Sequence, residues 1–156
     1  MSSVNCDTRW LGISIVSIFG KSPHPVNPVT ASLAARIDDR QLLDLVHLWD
    51  RLEAMVIAVY RAGKADRRQR RAHRSLRRLL LAAYEQWEPA LTPYRVELEE
   101  QGARRESDPF REILRYRQIE EMIGSQAAIE ALPDARQTLN HFLLAQVNPG
   151  PESVDV

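Results

Sequence analysis

The sequence predicts an all-α fold, an antiparallel bundle of about five helices that follows a loosely packed N-terminal arm. Three observations support this prediction. Apolar residues recur at three- and four-residue spacing from residue 37 onward, which is the periodicity of one buried helix face. Capping residues, prolines and glycines divide that region into segments of helical length. No strand-rich region interrupts it, and the short connections favour antiparallel neighbours.

The chain divides into an N-terminal arm over 1–36, a helical domain over 37–147 and a disordered tail over 148–156. With 156 residues and 44% hydrophobic residues, it can bury a core without disulfides or metals. The formal net charge is zero, which argues against a protein that coats nucleic acid along its whole surface. The lone cysteine, Cys6, excludes an internal disulfide and fits a reducing compartment, so we expect a cytoplasmic protein.

The arm contains an apolar, β-branched stretch over 10–20 and three prolines over 21–28, and we interpret it as flexible or as a short strand. Eleven apolar residues are too few for a membrane-spanning helix, which needs about 20, so no membrane partner is expected. A secretory signal peptide is the alternative, because small residues over 29–31 follow the apolar core. Asp7 within the supposed basic region argues against that alternative.

The first helix is predicted to begin after Asp38 and Asp39, whose carboxylates can cap it, and to end at Gly63. Glu53 falls on its apolar stripe, where a carboxylate needs a partner, and Arg117 is the predicted one. The stripe itself consists of Leu42, Leu45, Val46, Trp49, Leu52, Val56, Val59 and Tyr60.

Four more helices are predicted from capping residues, prolines and glycines that mark helix ends. The second runs over 66–87 and stops before Pro89, and a short third runs over 92–102, opened by Thr92-Pro93. Asp108-Pro109 opens a fourth over 108–131, and Pro133 begins a fifth. The predicted buried face of the fifth helix is Ala135, Leu139, Phe142 and Leu143.

Arginine is concentrated at the start of the second helix. Of the 21 cationic residues of the chain 19 are arginine, and seven of these lie over 66–78 with no acid after Asp66. Helical spacing places most of them on the side opposite the apolar residues Ala72, Leu76, Leu79, Leu80, Ala83 and Trp87. Cations in a first helical turn oppose the helix dipole at about 0.3–1 kcal/mol each. We call this set the arginine row: Arg67, Arg70, Arg71, Arg74, Arg77 and Arg78.

Such a row needs compensating negative charge, and two sources are open. One is internal, from carboxylates on the third or fourth predicted helix. The other is external, an acidic protein or a nucleic acid, although no helix-turn-helix spacing is present and few aromatic residues lie near to stack on bases. The internal carboxylates considered are Glu97, Glu99, Glu100, Glu120 and Glu121.

No catalytic, cofactor or metal site is predicted. Asp44 and His47 share one helix face, but a bundle metal site needs that pair twice together with further carboxylates. Cys6 has no histidine at a telling spacing, and no glycine-rich phosphate loop occurs. Two Glu-x-x-Glu pairs are the one candidate for Mg²⁺ or Mn²⁺ chemistry: Glu85, Glu88, Glu97 and Glu100.

The sequence therefore favours a non-catalytic protein-interaction or scaffold module that uses the arginine row to bind a protein partner or a second copy of itself. A nucleic-acid-binding protein that uses the same row is the first alternative. A metal-dependent helical hydrolase that uses the Glu-x-x-Glu carboxylates is the second.

Overall fold

A computed structural model describes residues 27–102 and 108–148. This part of the chain is all-α, with six helices and no strand. The predicted fold class is thereby confirmed, while most of the predicted arm and tail, 1–26 and 149–156, lies outside the described residues. The helices are α1 (Pro28–Ala34), α2 (Arg40–Ala62), α3 (Arg67–Glu100), α4 (Pro109–Leu114), α5 (Ile119–Ile123) and α6 (Gln126–Val147).

Helix α1 lies within the segment predicted as an arm. Asn27 caps it by accepting from the Thr30 backbone N–H at 3.0 Å, and Pro28 occupies its first turn, where its missing N–H is not needed. The Thr30 hydroxyl is buried and donates to Asn140 of α6 at 2.5 Å. Residues 28–34, at the end of the segment predicted as an arm, thus form a helix that packs against α6.

Helix α2 follows the prediction closely. Asp39 caps it by accepting from the backbone N–H groups of Gln41 and Leu42 at 2.9 and 3.2 Å, and Gly63 closes it with φ at 84°. The predicted apolar stripe is buried except at its last member, Tyr60, which is 59% exposed. Capping and periodicity were therefore sufficient to place this helix.

Helix α3 is one helix of 34 residues where two were predicted. Pro89 and Pro93 lie inside it and are both exposed. Because proline has no backbone N–H, the carbonyl groups one turn earlier lose their usual donors, but on this exposed side they can hydrogen-bond to water. Thr92, predicted to cap a new helix, donates its hydroxyl back to the Glu88 carbonyl at 2.8 Å. Proline thus fails to end this helix, which is about 50 Å long at 1.5 Å per residue.

The segment predicted as one helix over 108–131 breaks twice. Asp108 caps α4 as predicted, by accepting from the Phe110 backbone N–H at 3.0 Å, but α4 ends at Leu114 and α5 at Ile123. Gly124 follows α5, and Ser125 caps α6 through its Oγ. A glycine followed by a capping serine marks the end of one helix and the start of the next, and the prediction of one helix over 108–131 did not use this signal. Helix α6 then runs through Pro133, and its predicted buried face is confirmed.

The core forms where α2, α3, α4 and α6 meet. Helices α2 and α3 pack side by side and antiparallel, since Gln86 late in α3 donates to Gln41 early in α2 at 2.6 Å. Helix α6 packs against α1, α3, α4 and α5. Phe110 lies between Trp49 and Tyr84, with ring centroids 5.1 and 4.9 Å away. Over the two described ranges, no helix is long and apolar enough to cross a membrane.

Candidate functional site

The arginine row begins at a well-capped helix start. The Asp66 carboxylate accepts from the Gln69 backbone N–H at 2.7 Å, and the Gln69 side chain accepts from the Asp66 backbone N–H at 3.0 Å. This reciprocal capping box satisfies two N–H groups that have no partner within the helix. The first turn itself contains no acidic residue. The capping box therefore fixes the backbone that displays the arginines.

The buried face of α3 is rotated relative to the prediction. Leu79, predicted to be buried, is 47% exposed, whereas the polar residues His73 and Tyr84 are 0% and 2% exposed. At 100° per residue, this shift turns the core-facing side by about 60° toward Arg70 and Arg77. The rotation divides the arginine row into two anchored residues at its edge and four outward-facing ones.

The two anchored arginines donate to backbone carbonyls. Arg70 Nη1 lies 2.6 Å from the Ala65 oxygen, and Arg77 Nε lies 2.6 Å from the Leu114 oxygen. Leu114 is the last residue of α4, so Arg77 places a cation at the negative end of a helix dipole. These contacts fix the row in position without neutralising it.

The other four members of the row face outward. They are exposed, and within the described residues none of them forms an ion pair or side-chain hydrogen bond. They recur every three or four residues and therefore form one strip, about 17 Å long. We call this strip the outer row: Arg67, Arg71, Arg74 and Arg78.

The internal partners predicted for the row do not pair with it. Glu97, Glu99 and Glu100 belong to the same helix as the row and lie about 40 Å along its axis from Arg71. Glu99 instead pairs with Arg95 at 2.7 Å. Because α3 does not fold back at Pro89, these three carboxylates are not the internal source of negative charge considered for the row. The other two carboxylates considered are on α5. Glu121 is exposed, and Glu120 lines a pocket together with Arg70 and Arg74 of the row.

The connection between α4 and α5 extends the cationic surface. Arg70 and Arg74 of the row line a pocket of about 430 Å³ together with Arg117, Gln118, Ile119 and Glu120. Three guanidinium groups therefore line this pocket with one carboxylate. Among the described residues, Glu120 Oε2 has no hydrogen-bond partner, and Glu120 forms no ion pair with these arginines. The pocket keeps a net positive charge that suits an anionic group.

His73 lies beneath the row as an uncharged residue. Both of its ring nitrogens are buried, and neither has a hydrogen-bond partner among the residues that the structure describes. Burial first, and then the charges of Arg77 and Arg74, lower the pKa of His73 to about 4. A neutral imidazole adds nothing to the positive charge of the surface near pH 7. The cationic surface thus depends on arginines alone.

Glu53, predicted to pair with Arg117, pairs instead with Arg136 of α6. Arg136 Nη2 lies 2.5 Å from Glu53 Oε1, and Nη1 lies 2.6 Å from Asp50 Oδ1 and 3.1 Å from the Thr30 hydroxyl. Burial raises the pKa of Asp50, and the Arg136 cation opposes that rise. We call Arg136, Asp50 and Glu53 the buried triad; it joins α6 to α2 and, through the Thr30 hydroxyl, to α1. Sequence reasoning missed Arg136, although its spacing to Leu132, Leu139 and Leu143 places it on the buried face of α6.

The carboxylates proposed for metal chemistry do not converge. The Glu88 carboxylate accepts hydrogen bonds from Nε and Nη2 of Arg111, at 3.1 and 2.5 Å. Glu97 lies nine residues further along the same helix, about 14 Å away, and 3.7 Å from His141 Nε2. Within 27–102 and 108–148, no group of three His, Cys, Asp or Glu residues could hold a metal ion. The Glu-x-x-Glu pairs are therefore separate surface features.

Asp44 and His47 are both exposed, on the side of α2 that faces away from the core. They line a pocket between α2 and α3. Cys6 lies outside the described residues. The chain matches no family model, no curated protein and no solved structure.

Proposed function

We propose that the chain is an interaction module whose outer row docks an acidic segment of a partner protein. The observation that carries the proposal is the exposure of four arginines at one helix start without an ion pair in the described residues. Like charges at four-residue spacing repel each other, and the cation of Arg67, in the first turn, also opposes the helix dipole. A bound row of carboxylates removes both penalties at once.

The shape of the surface supports a protein partner. The outer row is straight and about 17 Å long, so it matches acidic residues at three- and four-residue spacing on a second helix. Arginine forks bind carboxylates with two parallel hydrogen bonds. The basic pocket at Arg70, Arg74 and Arg117 then receives one further acidic group from the same partner.

The same surface is less suited to nucleic acid. Tyr84, the aromatic residue of α3 nearest the row in sequence, is 2% exposed and stacked on Phe110, so it offers no ring to a base.

Binding of a labelled 20-residue helical peptide with glutamates at i, i+4 and i+7, followed by fluorescence anisotropy, tests the proposal. Exposed charge pairs contribute about 0.2–1 kcal/mol each. The loss of three pairs in R71Q/R74Q/R78Q therefore weakens binding about tenfold, at 1.4 kcal/mol per factor of ten.

The matched control is R36Q/R40Q/R61Q, which removes the same charge from exposed arginines of other segments. It is expected to bind the peptide as the unaltered protein does, and a glutamine version of the peptide is expected not to bind. Equal weakening by both triple variants would contradict the proposal. Tighter binding of a 20-nucleotide RNA or DNA than of the peptide at 150 mM salt would replace the protein partner with nucleic acid.

Self-association is the special case in which the partner is a second copy of the chain. Sedimentation velocity at low and high salt distinguishes it, because an oligomer held by the outer row dissociates in salt. The R71Q/R74Q/R78Q variant then sediments as a monomer at both salt concentrations.

A further inference from the structure

A second site lies on a different face of α3, where α3 packs against α2. Five residues of α2 and three of α3 line a pocket of about 540 Å³, a volume typical of small-molecule sites. None of the arginine-row residues belongs to it. Its lining residues are Gln41, Asp44, His47, Leu48 and Arg51 of α2, and Leu79, Ala83 and Gln86 of α3.

Arg51 is the unusual residue of this pocket. Its Nε is shielded from solvent and has no hydrogen-bond partner, and within the described residues Arg51 forms no ion pair. Burial lowers the pKa of its guanidinium, and no opposing charge offsets that effect. Arginine nevertheless stays protonated near pH 7. Within 27–102 and 108–148, the pocket thus holds a partly desolvated cation that forms no ion pair, an arrangement that costs stability.

The rest of the pocket limits what that partner can be. Asp44 contributes a negative charge on the same face of α2, which disfavours a doubly charged anion such as phosphate. A single guanidinium fork matches one planar carboxylate. Leu48 and Ala83 are half-buried, and Leu79 is 47% exposed. Leu48 on α2, together with Leu79 and Ala83 on α3, therefore offers apolar surface to a short hydrocarbon chain.

We propose that this pocket binds a small monocarboxylate with an apolar tail, with the carboxylate on Arg51 and the tail on Leu48, Leu79 and Ala83. The Gln41 side chain accepts from Gln86 at 2.6 Å and keeps its own amide N–H groups as donors toward the bound anion. The site is independent of the docking proposed for the outer row.

The test uses the full chain, labelled with ¹⁵N, and follows the Nε–H signal of Arg51 by NMR during titration with hexanoate. A saturable shift with a Kd on the order of 1 mM is expected for an eight-atom ligand. Hexan-1-ol and inorganic phosphate are expected to leave that signal unchanged. A comparable shift with hexanol would reduce the site to an apolar cleft, and a stronger shift with phosphate would overturn the monocarboxylate assignment.

Two variants separate the carboxylate contact from charge in general. Binding of hexanoate to Arg51→Gln, followed by backbone amide shifts of Leu79 and Ala83, is expected to weaken at least tenfold. Arg61→Gln removes an exposed arginine of the same helix and is expected to bind as the unaltered protein does. Equal affinity of Arg51→Gln and the unaltered protein, or no saturable shift at all, would refute the site. Arg51→Gln is not expected to unfold the chain, because it breaks no ion pair in the part of the chain that the structure describes.

Discussion

Replacement of Arg136 by methionine tests the buried triad that joins α1, α2 and α6. The side chains of Arg136 and Asp50 are only 8% and 3% exposed, so the substitution leaves two carboxylates without their cation. Removal of one partner from a buried ion pair costs about 3–5 kcal/mol. For a chain of this size, about 2–4 °C is lost per kcal/mol, so the melting temperature is expected to fall by about 10 °C.

The loss is expected to depend on pH. Burial already raises the pKa of Asp50, and removal of the Arg136 cation raises it further. A carboxyl whose folded pKa exceeds its unfolded pKa stabilises the protein at low pH, and that contribution disappears as the pH rises through the folded pKa. The destabilisation by Arg136→Met is therefore smaller at pH 5 than at pH 8.

Urea unfolding at both pH values, followed by circular dichroism, measures these effects. Arg61→Met at an exposed position is the matched control and is expected to change stability by less than about 0.5 kcal/mol. The double variant D50N/R136M removes one stranded charge and is expected to recover more than about 1 kcal/mol of the loss. A loss below about 1 kcal/mol, or one equal at both pH values, would refute the triad as described.

Three further substitutions test other parts of the fold. Asp66→Ala removes the capping box of α3 and is expected to cost about 1 kcal/mol in urea unfolding; unchanged stability would contradict the capping geometry. Pro89→Ala restores a backbone donor inside α3 and is expected to stabilise the protein by about 1–3 kcal/mol, whereas a lower melting temperature would mean that packing requires the proline. Because the folded pKa of His73 is about 4, the unaltered protein loses stability as the pH falls below about 6.5, by up to about 1.4 kcal/mol per pH unit. His73→Leu is expected to make that decline shallower, and an identical slope would contradict it.

The sequence predicted those parts of the fold that depend on local signals. Asp39, Asp66 and Asp108 cap helices where carboxylates next to an apolar period indicate a start. Proline was a weaker signal than expected. Pro89 and Pro93 are exposed on a helix that packs along α2 and α6, so tertiary contacts outweigh the lost backbone hydrogen bonds.

The candidate site was predicted in part. Spacing placed the outer row on an exposed face. It could not show that α3 continues through Pro89 and Pro93, and this continuity keeps Glu97–Glu100 far from the row. Periodicity also could not reveal that His73 and Tyr84 are buried while Leu79 is exposed, because the rotation of α3 depends on its neighbours. The pairing of Arg136 with Asp50 spans 86 positions, and single-sequence periodicity contains no information about such distant partners.

Retention on immobilised heparin, eluted with a salt gradient, tests most directly whether the outer row is accessible to an anionic partner. The unaltered protein and R36Q/R40Q/R61Q are expected to elute late and together, and R71Q/R74Q/R78Q is expected to elute early. Co-elution of R71Q/R74Q/R78Q with the unaltered protein, or early elution of all three proteins, would contradict an exposed and unpaired arginine row.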